Sequence, residues 1–116
     1  MNKIAVVFWS GTGNTEAMAA AVAEGAGPGA ELIPAAAFDP AALANYDGFA
    51  FGCPSMGAEQ LEESEFEPMF AACEAGLAGR RVGLFGSYGW GDGEWMRSWE
   101  ERCAAAGIAL AAPSVI

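Results

Sequence analysis

The residues best suited to chemistry form one short segment between a predicted strand and a predicted helix. Residues 10–15 (SGTGNT) combine two glycines with three hydroxyl side chains and one amide. Glycines let the backbone turn tightly and approach an anion, while the first turn of a helix offers unpaired N–H groups and a partial positive charge. The pattern therefore predicts a phosphate site formed by Ser10, Gly11, Thr12, Gly13, Asn14 and Thr15.

Two residue types that are absent from this segment limit the kind of phosphate compound that it could bind. No lysine follows it, which excludes the ATP-type loop GxxxxGK[ST], and Glu16 stands where a dinucleotide fingerprint has its third glycine. A loop that is rich in hydroxyl groups and has no cation suits a single terminal phosphate monoester. The alternative is a capped helix after a glycine-rich turn, which would need only one such polar residue.

Two further segments, each following an apolar run, are suited to hold a flat ring. One contains Pro54, Ser55, Met56, Gly57, Ala58 and Glu59, and the other contains Ser87, Tyr88, Gly89, Trp90 and Gly91. Trp90 lies between two glycines, so little side-chain bulk shields its faces, although burial would stabilise an aromatic ring of this size. This favours a planar ligand stacked on Trp90, with the Met56 thioether as the opposite wall. The alternative is that Trp90 folds onto the core.

The elements that position these segments alternate between apolar runs and helical patterns, which predicts an α/β fold with a parallel sheet. Strands are predicted at 3–9, 31–34, 48–53, 81–87 and 108–116, and helices at about 15–26, 64–76 and 94–106, with a helical turn at 41–45. Right-handed crossovers place the loops after the first, third and fourth strands at the carboxyl edge of the sheet, where ligands bind in open α/β folds. Residues 1–116 are expected to form a single domain.

Charge and cysteine content limit the class of function. The chain has 15 acidic and 5 basic residues, a net charge of −10, and no basic residue between Lys3 and Arg80. This argues against nucleic-acid binding and suits electrostatic steering towards partner proteins with basic surfaces. The absence of histidine and of any CxxC argues against structural zinc, haem ligation and a histidine-based triad. No apolar run is long enough to cross a bilayer, and three widely spaced cysteines favour a reducing, cytoplasmic compartment.

The motifs together resemble those of a known family. The strings WSGTGNTE, GCPSMGAEQLEESEFEP and VGLFGSYGWGDGEWM are similar to the phosphate loop and the two isoalloxazine loops of short-chain, clostridial-type flavodoxins, in order and across essentially all 116 residues. The resemblance implies a doubly wound, five-stranded parallel sheet of order 2-1-3-4-5, of which flavodoxin is itself a standard example. It also implies non-covalent binding of flavin mononucleotide (FMN) and a low-potential one-electron carrier, not an enzyme, that shuttles electrons between redox enzymes.

The resemblance assigns roles to particular residues. Ser10, Thr12, Asn14 and Thr15 would bind the phosphate together with the loop amides. Met56 and Trp90 would flank the ring, Glu59 would accept from the flavin N3–H, and the backbone around Ser87, Gly89 and Gly91 would line the pyrimidine and ribityl edge. The peptide at Gly57 would reorient on one-electron reduction so that a carbonyl accepts from the protonated flavin N5, a movement that glycine tolerates.

The sequence departs from the family pattern at its end. It stops at Ile116, within the predicted fifth strand, whereas the family completes that strand and adds a covering helix, so we expect the domain to be truncated at its C-terminus. An alternative function is an FMN-dependent flavodoxin-like reductase or quinone oxidoreductase domain, but no segment suggests a substrate pocket or a nicotinamide site. A receiver domain would need an acidic cluster at the strand ends, where the first strand is instead followed by the phosphate segment.

Overall fold

Four parallel strands form the centre of the structure, a computed structural model that describes residues 3–9, 14–27, 29–53, 65–77, 80–86, 94–108 and 110. The strands are β1 (Ile4–Phe8), β2 (Ala30–Pro34), β3 (Gly48–Gly52) and β4 (Arg81–Phe85). They lie in the order β2-β1-β3-β4, and every neighbouring pair is parallel. This confirms the predicted order for these four strands.

The described residues also form three α-helices and three short 3₁₀ helices, which lie between the strands and after β4. The α-helices are α1 (Asn14–Ala26), α2 (Phe66–Cys73) and α3 (Glu94–Ala105). The 3₁₀ helices are Ala35–Ala37, Pro40–Asn45 and Glu74–Gly76. The predicted turn at 41–45 corresponds to the second 3₁₀ helix, whose first turn is capped by the Asp39 carboxylate accepting from the Ala41 N–H at 2.9 Å.

The position of a fifth strand is indicated by one residue. Leu110 forms a parallel bridge with Val82 of β4, and because β3 occupies the other edge of β4, the chain returns to the outer edge. That is where a sheet of order 2-1-3-4-5 has its last strand. The rest of the predicted fifth strand, residues 111–116, lies outside the described residues.

Both faces of the sheet are covered, as the continuous apolar strands require. In β1, Val6 faces α1 and packs with Ala19, Ala50 and Phe85. The neighbouring Val7 faces the opposite side, where α2 and α3 contribute to a larger core that includes Phe51, Phe66, Phe70, Leu84, Met96 and Trp99. The helices therefore lie on both sides of the sheet, which is the doubly wound arrangement predicted from the sequence.

The end of α3 follows the glycine signal in the sequence. Gly107 has φ 78°, a left-handed conformation, and its N–H donates to the Ala104 carbonyl at 3.2 Å, while the Ile108 N–H donates to the Cys103 carbonyl at 2.9 Å. These are the two hydrogen bonds of a Schellman motif. The motif ends the helix and directs the buried Ile108 into the core, so the chain turns back towards β4.

Candidate functional site at the carboxyl edge of the sheet

Three adjacent strands end in register at one edge of the sheet. Phe8 of β1 pairs with Gly52 of β3, which pairs with Phe85 of β4. The ladder continues for one more residue, because the Trp9 N–H donates to the Gly52 carbonyl at 3.0 Å and the Cys53 N–H donates to the Phe85 carbonyl at 3.2 Å. Since neighbouring strands are about 4.8 Å apart, the three ends lie within about 10 Å of one another.

The three predicted ligand segments begin at these strand ends. Residues 10–13 follow Trp9, residues 54–59 follow Cys53, and residues 87–91 follow Gly86. The described strands thus place the starts of all three segments at one edge of the sheet, as the topology argument predicted. The segments themselves lie outside the described residues, which applies to Ser10, Gly11, Thr12, Gly13, Pro54, Ser55, Met56, Gly57, Ala58, Glu59, Ser87, Tyr88, Gly89, Trp90 and Gly91.

Two predicted phosphate ligands, Asn14 and Thr15, belong to the described structure. Asn14 is the first residue of α1, and Thr15 follows it with only 1% of its surface exposed. A hydroxyl is stable in such a buried position only when it is hydrogen-bonded. Its location in the first turn of α1, the part of a helix whose N–H groups suit an anion, is compatible with the anion site predicted there.

Three of the five basic residues are placed away from this helix start. Lys3 precedes β1, and Arg80 and Arg81 lie at the start of β4, so all three are at the opposite edge of the sheet. The Arg80 guanidinium donates to the Leu43 carbonyl at 3.1 Å and to the Tyr46 carbonyl, and it lies 5.1 Å from the centre of the Phe49 ring. None of these three residues is placed to bind a phosphate at the start of α1, in agreement with the cation-free pattern of residues 10–15.

An arginine joins the two helices that follow the ring-binding segments. Arg102 of α3 donates from Nε and Nη2 to the two carboxylate oxygens of Glu74, at 3.1 and 2.8 Å. Its Nη1 donates to Glu67 of α2 at 2.7 Å, and its guanidinium lies 5.1 Å from the centre of the Phe70 ring. The pairing fixes α3 against α2 and therefore fixes the helix that begins directly after residues 87–93.

The sequence analysis missed two residues at the edge. The Trp9 indole Nε1 donates to Glu65 Oε1 at 2.8 Å, across a separation of 56 residues. The sequence pattern places Trp9 only in the predicted strand 3–9 and Glu65 only in the predicted helix at about 64–76. The position of Trp9 directly before the phosphate segment is the one signal in the sequence that singles it out.

The three cysteines are buried and free. Burial, reinforced by nearby carboxylates, raises the pKa of the Cys73 thiol and of the Cys103 thiol to about 11. Both thiols are therefore protonated at neutral pH, and neither is suited to act as a nucleophile. Among the described residues, no group of three or more acidic or cysteine side chains is arranged to hold a metal ion.

Within the described part of the chain, no helix combines the length and the apolar character needed to cross a membrane.

Comparisons with known proteins agree with the geometry. A sequence model of the flavodoxin family matches residues 6–114. The chain is 42% identical to a flavodoxin of Megasphaera elsdenii, over 97% of this chain and 85% of the relative. It is 49% identical to a flavodoxin of Clostridium beijerinckii, over 84% of this chain and 72% of the relative. The solution structure of two-electron reduced Megasphaera elsdenii flavodoxin superimposes with a TM-score of 0.87 at 43% identity, covering 97% of this chain and 84% of that one.

Proposed function

The chain belongs to the flavodoxin family, and from that premise we propose that residues 10–15, 54–59 and 87–91 form its FMN site. Flavodoxins are electron-transfer proteins, so this chain is an FMN-binding electron carrier and not an enzyme. The observation that supports the proposed site is the shared register of Phe8, Gly52 and Phe85, which starts the three segments at one sheet edge.

Each segment has a separate task in the proposed site. Ser10, Thr12, Asn14 and Thr15, with the amides at the start of α1, bind the phosphate without a cation. Met56 and Trp90 exclude water from the two faces of the ring, and Glu59 accepts a hydrogen bond from the flavin N3–H. When bound, FMN supplies the one-electron chemistry. The buried Thr15 in the first turn of α1 is a described feature that fits the phosphate.

The division of tasks is tested by titrating the FMN-free protein with FMN and with riboflavin, which lacks the phosphate. Thr12→Ala removes a hydrogen bond to a charged group, so FMN affinity should fall about tenfold to hundredfold while riboflavin affinity stays unchanged. Thr12→Ser is the matched control, since it keeps the hydroxyl. Trp90→Ala should weaken both ligands.

Two results would contradict the proposed site. One is an unchanged ratio of FMN affinity to riboflavin affinity in Thr12→Ala. The other is unchanged binding of both ligands in Trp90→Ala. Steady oxidation of NAD(P)H by the FMN-loaded protein without a partner would instead indicate the reductase alternative.

An electron carrier exchanges electrons with redox partner proteins, and we propose that the partners of this chain present basic docking surfaces. The support is the net charge of −10 together with exposed Glu16 in the first turn of α1 and exposed Glu65 before α2. Steering of this kind raises association rates by 10- to 1000-fold at low ionic strength. The rate of electron transfer to a strongly basic one-electron acceptor protein should therefore fall as salt is added. A rate that is constant or rising with salt would argue against basic partners.

The acidic residues should also lower the reduction potential of the bound flavin. Glu59, Glu62, Glu63, Glu65 and Glu67 crowd the chain around the second segment, and Asp92 and Glu94 follow the third. One such charge about 10 Å from the anionic reduced flavin disfavours it by about 0.4–1.7 kcal/mol. We therefore expect a low second one-electron potential that rises as salt screens these charges. A potential that does not depend on salt would contradict this.

We propose a cytoplasmic location for the protein. All three cysteines are free and buried, which is the usual state of cysteines in a reducing compartment. Fractionation of the source cells, with an antibody against the chain, tests this, and recovery in an extracytoplasmic fraction would contradict it.

A further inference from the structure

The hydrogen bond between Trp9 and Glu65 joins the residues that flank two of the proposed ligand segments. Trp9 directly precedes residues 10–13, and Glu65 directly follows residues 54–64. Their side chains meet with 2.8 Å between Nε1 and Oε1. Because the partner of the indole is a carboxylate, the bond belongs to the stronger, charge-assisted class.

The sheet and the core together fix the position of Trp9. Its backbone N–H donates to the Gly52 carbonyl at 3.0 Å, which extends the pairing of β1 with β3 beyond Phe8. Its half-buried indole packs against the larger core. The position of Nε1 is therefore set by the sheet and the core together, and the donor has little freedom to follow a moving acceptor.

Glu65 is placed to accept from outside its own helix. It occupies the N-cap position of α2 with φ −127° and ψ −46°, yet its side chain makes no capping hydrogen bond. Glutamate is not a favoured N-cap residue, since serine, threonine, aspartate and asparagine predominate there. Local helix stability therefore does not explain why a glutamate stands at this position, whereas the bond to Trp9 does.

The two ends of segment 54–64 are thus both tied to neighbouring strand ends. At its start, the Cys53 N–H donates to the Phe85 carbonyl of β4 at 3.2 Å. At its end, Glu65 accepts from Trp9, the residue after β1. The two residues that flank the segment, Cys53 and Glu65, are consequently hydrogen-bonded to the strand before the third ligand segment and to the residue before the phosphate segment.

We propose that Trp9 and Glu65 are positioning residues that couple phosphate binding to ring binding in the FMN site. Phosphate held by residues 10–15 fixes the backbone that follows Trp9, and Trp9 in turn fixes the end of the ring-binding segment through Glu65. The coupling rests on the proposed FMN site. It means that the phosphate adds more to the affinity of FMN than its own contacts supply.

The test uses three single variants of the whole chain, one double variant and one matched control. Trp9→Phe removes the donor and keeps an aromatic ring in the core. Glu65→Ala removes the acceptor, and Glu65→Gln removes the charge but keeps an oxygen that can accept. Glu101→Ala is the control, because it removes one exposed carboxylate from α3. FMN and riboflavin affinities, both one-electron potentials and urea unfolding of the FMN-free protein are measured for each.

Loss of one hydrogen bond of this kind should weaken FMN by about three- to tenfold in Trp9→Phe and in Glu65→Ala. Riboflavin binding should be weakened less, so the ratio of FMN affinity to riboflavin affinity should fall. The double variant Trp9→Phe/Glu65→Ala should lose no more than either single variant, because all three lack the same bond. Glu65→Gln should recover most of the ratio. At least one potential should move in Trp9→Phe, which breaks the bond without removing a charge, whereas the Glu65 variants also lose a charge that acts on the flavin directly.

The inference is overturned if the affinity ratios of Trp9→Phe and Glu65→Ala, and both potentials of Trp9→Phe, equal those of the unchanged protein. This holds even where urea unfolding shows a loss of stability, since that combination describes a purely structural bond. Additive losses in the double variant would overturn it as well. Thr12→Ala and Trp90→Ala separate this failure from failure of the site. If those two weaken ligand binding as proposed, only the coupling is wrong, whereas if they do not, the site and the coupling are both wrong.

Discussion

Gly52, the last residue of β3, stands where a larger side chain cannot fit. A Cβ atom built on Gly52 would lie 2.0 Å from Cε2 and 2.2 Å from Cζ of the Phe85 ring. Ordinary carbon contacts begin at about 3.5 Å, so the ring would have to move by about 1.5 Å. Phe85 is only 2% exposed and packs with Val6, Ala19 and Ala50 beneath α1, so it has no empty space to enter.

The expected cost of Gly52→Ala follows from these contacts. Overpacking of a well-filled core costs about 1–3 kcal/mol, and complete loss of a buried phenylalanine side chain costs about 3–5 kcal/mol. Because Phe85 would be displaced and not removed, we expect the free energy of unfolding to fall by about 2–4 kcal/mol. That is a large part of the roughly 5–15 kcal/mol typical of a whole domain.

Urea unfolding of the FMN-free protein measures this cost without the stabilisation that bound FMN would add. Gly83→Ala is the matched control, because among the described residues no heavy atom lies within 4 Å of a Cβ at Gly83 of β4. It should change stability by less than about 1 kcal/mol. Phe85→Leu in the Gly52→Ala background should recover part of the loss, since the smaller side chain vacates the space that Cβ requires.

Three results would refute the reasoning. The first is a Gly52→Ala protein within about 0.5 kcal/mol of the original, which is the usual range for harmless substitutions. The second is an equal loss in Gly83→Ala, which would mean that any β-carbon disturbs these strands. The third is strict additivity of Gly52→Ala and Phe85→Leu, since two side chains competing for one space must couple.

Three further predictions concern the helices, the ring segment and the thiols. Arg102→Ala removes a half-buried guanidinium from its carboxylate partners and should lower the free energy of unfolding by about 1–2 kcal/mol. Arg102→Lys should lie in between, because it keeps the charge but loses the paired donors to Glu74. Urea unfolding measures this, and an unchanged stability of Arg102→Ala would contradict it. Gly57→Ala should make the first one-electron potential of bound FMN more negative while nearly preserving FMN affinity, because a β-carbon hinders the backbone reorientation; unchanged potentials in a stepwise reduction would disprove it. At pH 8, Cys73 and Cys103 should react with iodoacetamide at least about 100 times more slowly in the folded protein than in urea, because burial raises the pKa of both thiols to about 11. Stability should also fall as the pH rises from about 8.5 towards 11, where only the unfolded chain ionises these thiols; fast labelling of the native protein, or stability that stays constant over this range, would contradict the prediction.

The fold could be predicted where the signal was local. The runs KIAVVFW, GFAFGC and RVGLFGS predicted three buried strands to within two residues, and Gly107 predicted the end of α3. The 3₁₀ helix Ala35–Ala37 was not predicted, because three alanines carry no turn signal of their own. It lies against the core through buried Ala35, so tertiary packing and not propensity selects its conformation.

The convergence of the three ligand segments could be predicted from the sequence, whereas the side-chain contacts around them could not. In a parallel sheet, the positions from which loops depart depend on strand order alone, so convergence of the three segments followed from the alternation of strands and helices. The bond from Trp9 to Glu65 depends on side-chain geometry across 56 residues, and no local pattern encodes it.

At Gly52, strand order and side-chain packing act on the same residue. Strand order makes β3 the central strand of the site, so its last residue pairs with both Phe8 and Phe85. The Phe85 ring then occupies the space that a side chain at residue 52 would need, and the Gly52 carbonyl accepts from Trp9. A larger residue there would therefore disturb the strand before the third ligand segment directly, and through Trp9 it would also disturb the start of the phosphate segment. Glycine at this position is required by the packing that holds the three strand ends together, independently of any backbone flexibility.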